Sequence, residues 1–270
     1  MVRARSPASA YGGCVTPMRH VAGTACHVLR DDVSLAEAIP AADRERAIEE
    51  CIAPAARIPV GRWSGLQADV MPGGIGLLVL QGLLTRHVRA GGRVGAELLG
   101  KGDLMRPWQA QGAPAALSYT TRWRVLEPVV VAMLDGGVAR RFARYPELTG
   151  RLVARTLERS RTLAINLAIV QQPRVNVRVH LLLWHLADRW GYERSEGTAL
   201  PLRLTHDVLA DLVAARRPTV SKALSQLVKA ELVRPDWHGW LLLGDRPPAP
   251  FERQRRPAGG GPSIPPAMSS

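Results

Sequence analysis

Residues 204–244 read LTHDVLADLVAARRPTVSKALSQLVKAELVRPDWHGWLLLG, and this stretch decides the fold. Val208, Leu209 and Leu212 recur at helical spacing behind Thr205, whose side-chain oxygen can accept from an orphan N–H of the first turn. A second helix follows almost at once. Arg217, Pro218 and Thr219 open it, and proline is tolerated there because first-turn N–H groups lack helical partners. Val220, Ala223, Leu224, Leu227 and Val228 form its inner face, which leaves Arg217, Thr219, Ser221 and Lys222 pointing outward. Beyond it, Trp237, His238 and Gly239 make a turn between Leu232-Val233 and residues 240–243, the pattern of a hairpin. Two short helices, a tight corner and a strand pair make a winged helix-turn-helix. Donors on the outward face of the second helix suit a major groove, where guanine and adenine offer acceptors and thymine a methyl. Thr205, Arg216, Arg217, Thr219, Ser221 and Lys222 are therefore the expected DNA-binding residues. Two amphipathic helices also occur in domains that bind only protein; the wing and the clustered cations favour DNA.

The chain of 270 residues is long enough for two domains, and its 46% hydrophobic content is ordinary for a globular protein. No run reaches the eighteen or so apolar residues that a spanning helix needs; residues 75–84 are broken by glycines and Gln81. The first thirty residues lack the long apolar core of a secretion signal, so the cytoplasm is the expected compartment and no membrane partner is expected. Cys14, Cys26 and Cys51 match no zinc-ribbon spacing and leave one cysteine over in any disulfide scheme, which favours free thiols over a metal or redox site. A net charge of +13 invites a nucleic-acid partner through counterion release. Its distribution tempers that inference. Residues 173–246 hold eleven Lys and Arg against eight Asp and Glu, so positive charge there must act locally, through Arg216, Arg217, Lys222 and Lys229.

Residues 1–33 and 247–270 are rich in Ala, Gly, Pro, Arg and Ser without periodicity, and both are expected to be disordered. Residues 34–56 carry a helical pattern broken at Pro40, with Ala47, Ile48, Cys51 and Ile52 on its second half. From Ile58 short apolar runs alternate with Gly and Pro, the texture of a small β-barrel or jelly roll over 34–135. Helix resumes near Val129 and runs, with a break at Pro146, to about Val170. Along it Val153, Leu157, Ser160, Ala164 and Leu167 recur at heptad spacing, a seam that would let two copies approach over residues 136–172, or the stripe of one amphipathic helix lying on its own domain. Leu148, Leu152 and Leu163 form a neighbouring stripe suited to cover the barrel. Residues 174–191 make a further helix ended by Gly191, opening a DNA-binding domain over 173–246. His180 and His185 are five apart, not the four that sets two metal ligands on one face.

A helical entry, a glycine-rich barrel, a long helix and a winged helix-turn-helix, in this order, resemble the Crp-Fnr superfamily of transcription regulators. The resemblance spans roughly residues 34–246 and is strongest at Leu204-Thr205, at Arg217, Thr219, Val220 and Lys222, and at Leu232. It implies an α+β protein: a jelly-roll-like β-barrel of the cyclic-nucleotide-binding kind, a dimerisation helix and a winged DNA reader, acting as a homodimer on promoter DNA, with RNA polymerase a further partner. Two departures stand out. The family places an acidic residue directly after the arginine matching Arg217, where it can accept from cytosine N4; here that residue is Pro218. Cyclic-nucleotide binders also carry a Gly-Glu pair for the ribose and a later Arg for the phosphate. Here Gly102-Asp103-Leu104-Met105 resembles the turn, but Arg106, Pro107 and Trp108 follow, and the later segment is Ala115-Ala116-Leu117-Ser118. A phosphate without its cation and a ribose without its acceptor would leave polar groups unpaired at about 1–3 kcal/mol each. Cyclic AMP and cyclic GMP are therefore not expected to bind in the family's manner.

Arg106 and Trp108 are the candidate effector contacts, Arg106 being either an anion ligand displaced along the loop or a solvated loop residue. Trp63 and Trp108 are either pocket lining or aromatic core. The competing class is a cupin-like barrel enzyme or metal protein with an appended DNA-binding domain. His87 is the only histidine between residues 58 and 128, and Asp69, Glu97 and Asp103 are scattered, so no catalytic residue, metal or cofactor is expected.

Overall fold

The computed structural model describes residues 24–64, 73–107 and 117–247, and these form two compact units that divide between Gln171 and Gln172, residues 210–215 counting with the first. In the first unit, β1 (Thr24–His27), β2 (Ile52–Ile58), β3 (Gly61–Trp63), β4 (Gly76–Ala90), β5 (Arg93–Leu99), β6 (Leu104–Met105) and β7 (Tyr119–Leu134) make one antiparallel sheet. Its path is β1-β2-β7-β4-β5, with β3 on β7 and β6 on β4. The expected α+β architecture with an N-terminal antiparallel sheet domain is present, and among the described residues no strand pair closes that sheet into a barrel.

Residues 77–80 of β4 and 129–134 of β7 are continuously apolar because both faces are covered there. Leu77, Val79, Val129 and Val131 point into one core with Ile58, Leu84, Leu99 and Val125, while Leu78, Leu80, Ala132 and Leu134 point into the other. Alternate residues of a strand face opposite ways, so two cores demand a continuous apolar run. Gly82 sits where β4 loses register against β7, at φ +89°, and a Cβ there would lie 2.2 Å from the Pro128 carbonyl oxygen. The second core is roofed by α1 (Val28–Asp31), α2 (Val33–Ala36), α3 (Ala41–Glu50), α4 (Gly136–Phe142) and the start of α5 (Pro146–Val170), through Leu29, Leu35, Ile39, Phe142, Leu148 and Leu152.

Several expected boundaries move. Residues 24–31, expected to be disordered, form β1 and α1, and Val28 and Leu29 are fully buried. The entry helix ends at Glu50, and Ile52 begins a strand rather than continuing the turn, because β2 is claimed on both sides by β1 and β7. Helix does not resume at Val129: the β-branched run 129–131 stays in β7, and α4 starts only after Asp135, whose carboxylate accepts from the Val138 N–H at 2.8 Å. Trp63 is core, meeting Trp123 edge-on at 5.7 Å across the β3–β7 pair. Burial pushes the Cys51 thiol up to about 11, so it is a protonated core group.

The second unit opens with α6 (Val175–Trp190), which ends at Gly191 and buries Val179, Leu182, Leu183, Trp184, Leu186 and Ala187. A hairpin of β8 (Tyr192–Arg194) and β9 (Gly197–Leu200), not foreseen from the sequence, follows. Then come α7 (His206–Leu212), α8 (Arg217–Lys229), β10 (Val233–Asp236) and β11 (Gly239–Leu242), the strands pairing in the order β10-β11-β9-β8. No described helix is long and apolar enough to cross a membrane.

Candidate nucleic-acid interface

The helix pair is built as its periodicity demands. Thr205 caps α7, its Oγ1 accepting from the Val208 N–H at 3.3 Å, and Val208, Leu209 and Leu212 are buried. At the corner Ala214 takes φ +50°, a left-handed conformation that glycine usually supplies. Arg216 is the extended residue before α8, with its side chain free of any capping role, and Pro218 lies in the first turn. Val220, Ala223, Leu224 and Leu227 are buried beneath. Val228, expected on this inner face, is 39% exposed, because it lies at the helix edge bordering the wing.

Arg216, Arg217, Thr219 and Lys222 are all exposed and gather on the first half of α8. Ser221 departs from the expected outward set. It is half-buried, its Oγ 2.8 Å from His206 Nδ1, so it ties α8 to α7. Arg217 Nε stands 3.6 Å from Asp207 Oδ1, an exposed pair that holds the guanidinium without committing it. Asp207 and His206 were not singled out from the sequence, since only the helix crossing brings residues ten and fifteen positions apart together. Arg203 was missed for the same reason; its Nη2 donates to the Trp237 carbonyl oxygen at 3.1 Å and lies 3.1 Å from His238 Nδ1, bracing the wing.

In the first unit, Arg106 is spent on backbone: Nε donates to Ile75 O at 2.7 Å and Nη2 to Gly74 O at 2.9 Å. Trp108 lies outside the described residues, as does Cys14. Helix α5 meets β6 and β5 through Arg159. Glu97 is 4% exposed and binds Arg159 through both oxygens, at 2.6 and 2.9 Å, and Arg86 at 2.8 Å, while Arg159 Nη1 donates to Leu104 O at 2.7 Å. Burial pulls the Arg159 pKa down, but the Glu97 carboxylate more than offsets this and raises it. One turn earlier Arg155 grips buried Asp32 at 2.6 and 2.7 Å and also reaches Ser34. Asp103 accepts from the Gly100 N–H at 2.8 Å. Among the described residues no group of three His, Cys, Asp or Glu gathers as metal ligands would.

Residues 177–247 match the Crp-like helix-turn-helix domain. The chain carries a Crp-like helix-turn-helix domain. No curated protein matches the chain. Among solved structures, a cyclic nucleotide-binding domain containing protein from Listeria monocytogenes EGD-e is similar at TM-score 0.56 and 15% identity, covering 78% of this chain and 96% of that one. A CooA variant from Carboxydothermus hydrogenoformans gives 0.54 at 17% identity, over 73% of this chain and 85% of its own. FixK2 from Bradyrhizobium japonicum gives 0.52 at 16% identity, over 72% and 93%. Identities this low speak to fold alone.

Proposed function

We propose that the chain is a homodimeric, sequence-specific transcription regulator that reads promoter DNA with α8 and is not an enzyme. One observation carries the reading: Arg216, Arg217, Thr219 and Lys222 stand exposed on the leading half of α8 above a buried inner face, within a Crp-like helix-turn-helix domain. Arg217 has the planar fork for guanine O6 and N7, and Lys222 can meet a base or a phosphate. With Pro218 following Arg217 there is no carboxylate at that position for cytosine N4, so the operator differs from one read by an acidic residue there.

The homodimer is supported by α5, where Val153, Leu157 and Leu167 are 53%, 64% and 59% exposed in one heptad stripe with Ser160 and Ala164. RNA polymerase is the further partner such a regulator would meet at a promoter. The β-roll does not take cyclic AMP or cyclic GMP in the usual way. That reading is supported by Glu97, whose both oxygens are bound by arginines, and by Arg106, which is held by two backbone carbonyls. Selection of bound duplexes from a random pool tests the function. The expected product is a palindrome with half-sites one helical turn apart; a pool that enriches no sequence refutes the reading. Calorimetry with cyclic AMP and cyclic GMP is expected to show no binding, and micromolar affinity for either would overturn the second part.

A further inference from the structure

Trp237 is 91% exposed, more than any other large hydrophobic residue of the described chain, and it sits at the two-residue tip of the β10–β11 hairpin. The hairpin beneath it is rigid. Val233, Leu241 and Leu242 are buried at its root, Pro235 opposes Trp240, and a Cβ on Gly239 would lie 2.2 Å from Leu200 O, so β11 is pressed onto β9. Arg203 holds the tip from behind through the Trp237 carbonyl and His238. An indole so fully presented on so fixed a turn contributes nothing to packing in its own unit.

Its surroundings identify what it meets. Its neighbours at the tip are Asp236 and His238, while the apolar Pro235 and Trp240 pair across the hairpin below it. The hairpin's one carboxylate, Asp236, is already paired with Arg194 at 3.1 Å, and Glu196 of the β8–β9 turn is paired with Arg234. The same unit displays Arg216, Arg217, Lys222 and Lys229 on α8, and α8 packs directly against β10. A fully presented indole on the same unit as these exposed cations fits a polyanion with flat, stackable edges.

We infer that Trp237 is a duplex-contacting wedge, seating its ring in the minor groove that flanks the major-groove site of α8. This rests on the regulatory reading above. The indole adds apolar contact and local unstacking of a base step, and because it is uncharged it releases no counterion. The test uses the full chain and a fluorescent duplex carrying the selected sequence, with 2-aminopurine at the steps flanking each half-site. Trp237→Ala is expected to weaken binding roughly 5- to 100-fold with an unchanged salt slope, and to abolish the 2-aminopurine increase. Trp237→Phe is expected to stay within about threefold of the parent, since it keeps a stackable face. Thermal unfolding should not move for either variant, as the ring is outside the core. If Trp237→Ala binds within about twofold of the parent while Arg217→Ala loses affinity, the wedge is wrong and the groove assignment of α8 stands. If the parent selects no duplex at all, the regulatory reading fails and the wedge fails with it.

Discussion

At the scale of single residues, Arg217 is poised rather than locked. Its side chain is 67% exposed and its ion pair with Asp207 is long, the kind of contact that contributes about 0–1 kcal/mol and can be exchanged for a base edge. Arg217→Ala is expected to cost about 1–3 kcal/mol on the selected operator and to relax choice at one base pair, read by anisotropy on a panel of single-base variants. Loss of equal size on every sequence, with a shallower salt dependence, would instead make Arg217 a phosphate contact. Glu97 is the opposite case. Glu97→Gln leaves Arg159 and Arg86 without their shared counter-charge in a buried setting, and should destabilise the first unit by roughly 3 kcal/mol in urea unfolding. Arg217 could be read from helical period alone. Glu97 could not: Arg86 faces it across the β4–β5 pair, but Arg159 lies 62 residues away and only the docking of α5 on the sheet completes the cluster.

At the scale of elements, the corner between α7 and α8 carries a cost. Ala214 at φ +50° holds a Cβ where an L-residue is disfavoured, so Ala214→Gly should stabilise the protein by about 0.5–1 kcal/mol after the entropy of the added glycine is counted, seen as a higher denaturant midpoint at unchanged slope. Helix α5 has two unlike sides. Leu148 and Leu152 pack into the second core, Arg155 is bound to Asp32 between α1 and α2, and Arg159 is bound to Glu97 of the sheet. Leu163, expected on that stripe, is instead 36% exposed. Residues 153, 157, 160, 164 and 167 lie on the other side. Leu157→Glu places like charges across that stripe in a two-fold pair and is expected to convert the dimer to a monomer by sedimentation, with DNA affinity lost in parallel. A dimer that persists would move the interface elsewhere.

At the scale of the whole molecule, pH reaches the second unit through α6. Burial lowers the pKa of His180, whose Nε2 accepts from the Trp184 indole N–H at 3.1 Å, and lowers that of His185, where Asp188 acts in the other direction. In the unfolded chain both titrate near 6.5. As pH falls through that value the unfolded state takes up protons that the folded state refuses, so folding weakens on the acid side and levels off above it. The unfolding temperature of this unit is expected to be lower at about pH 5.5 than at about pH 7.5, and His180→Gln, which keeps an acceptor for Trp184, should flatten the difference. A profile that rises toward acid would contradict the burial argument.

The winged helix-turn-helix could be recognised before any coordinates because its signals are local: a cap, two helical periods and a hairpin within some forty residues. The strand reading from Ile58 to the residues before Val129 is sound in kind and wrong in its divisions and its end, since a run such as 77–80 looks the same whether it ends at a turn or crosses a bulge at Gly82 into one long strand. Where β2 begins, which face of α5 meets the sheet, and which carboxylate each arginine grips are set by partners dozens of residues distant. Nearest-neighbour patterns carry no record of those distances. Backbone hydrogen-bond pairing across the sheet and the desolvation of paired charges choose among arrangements that local propensity leaves equal.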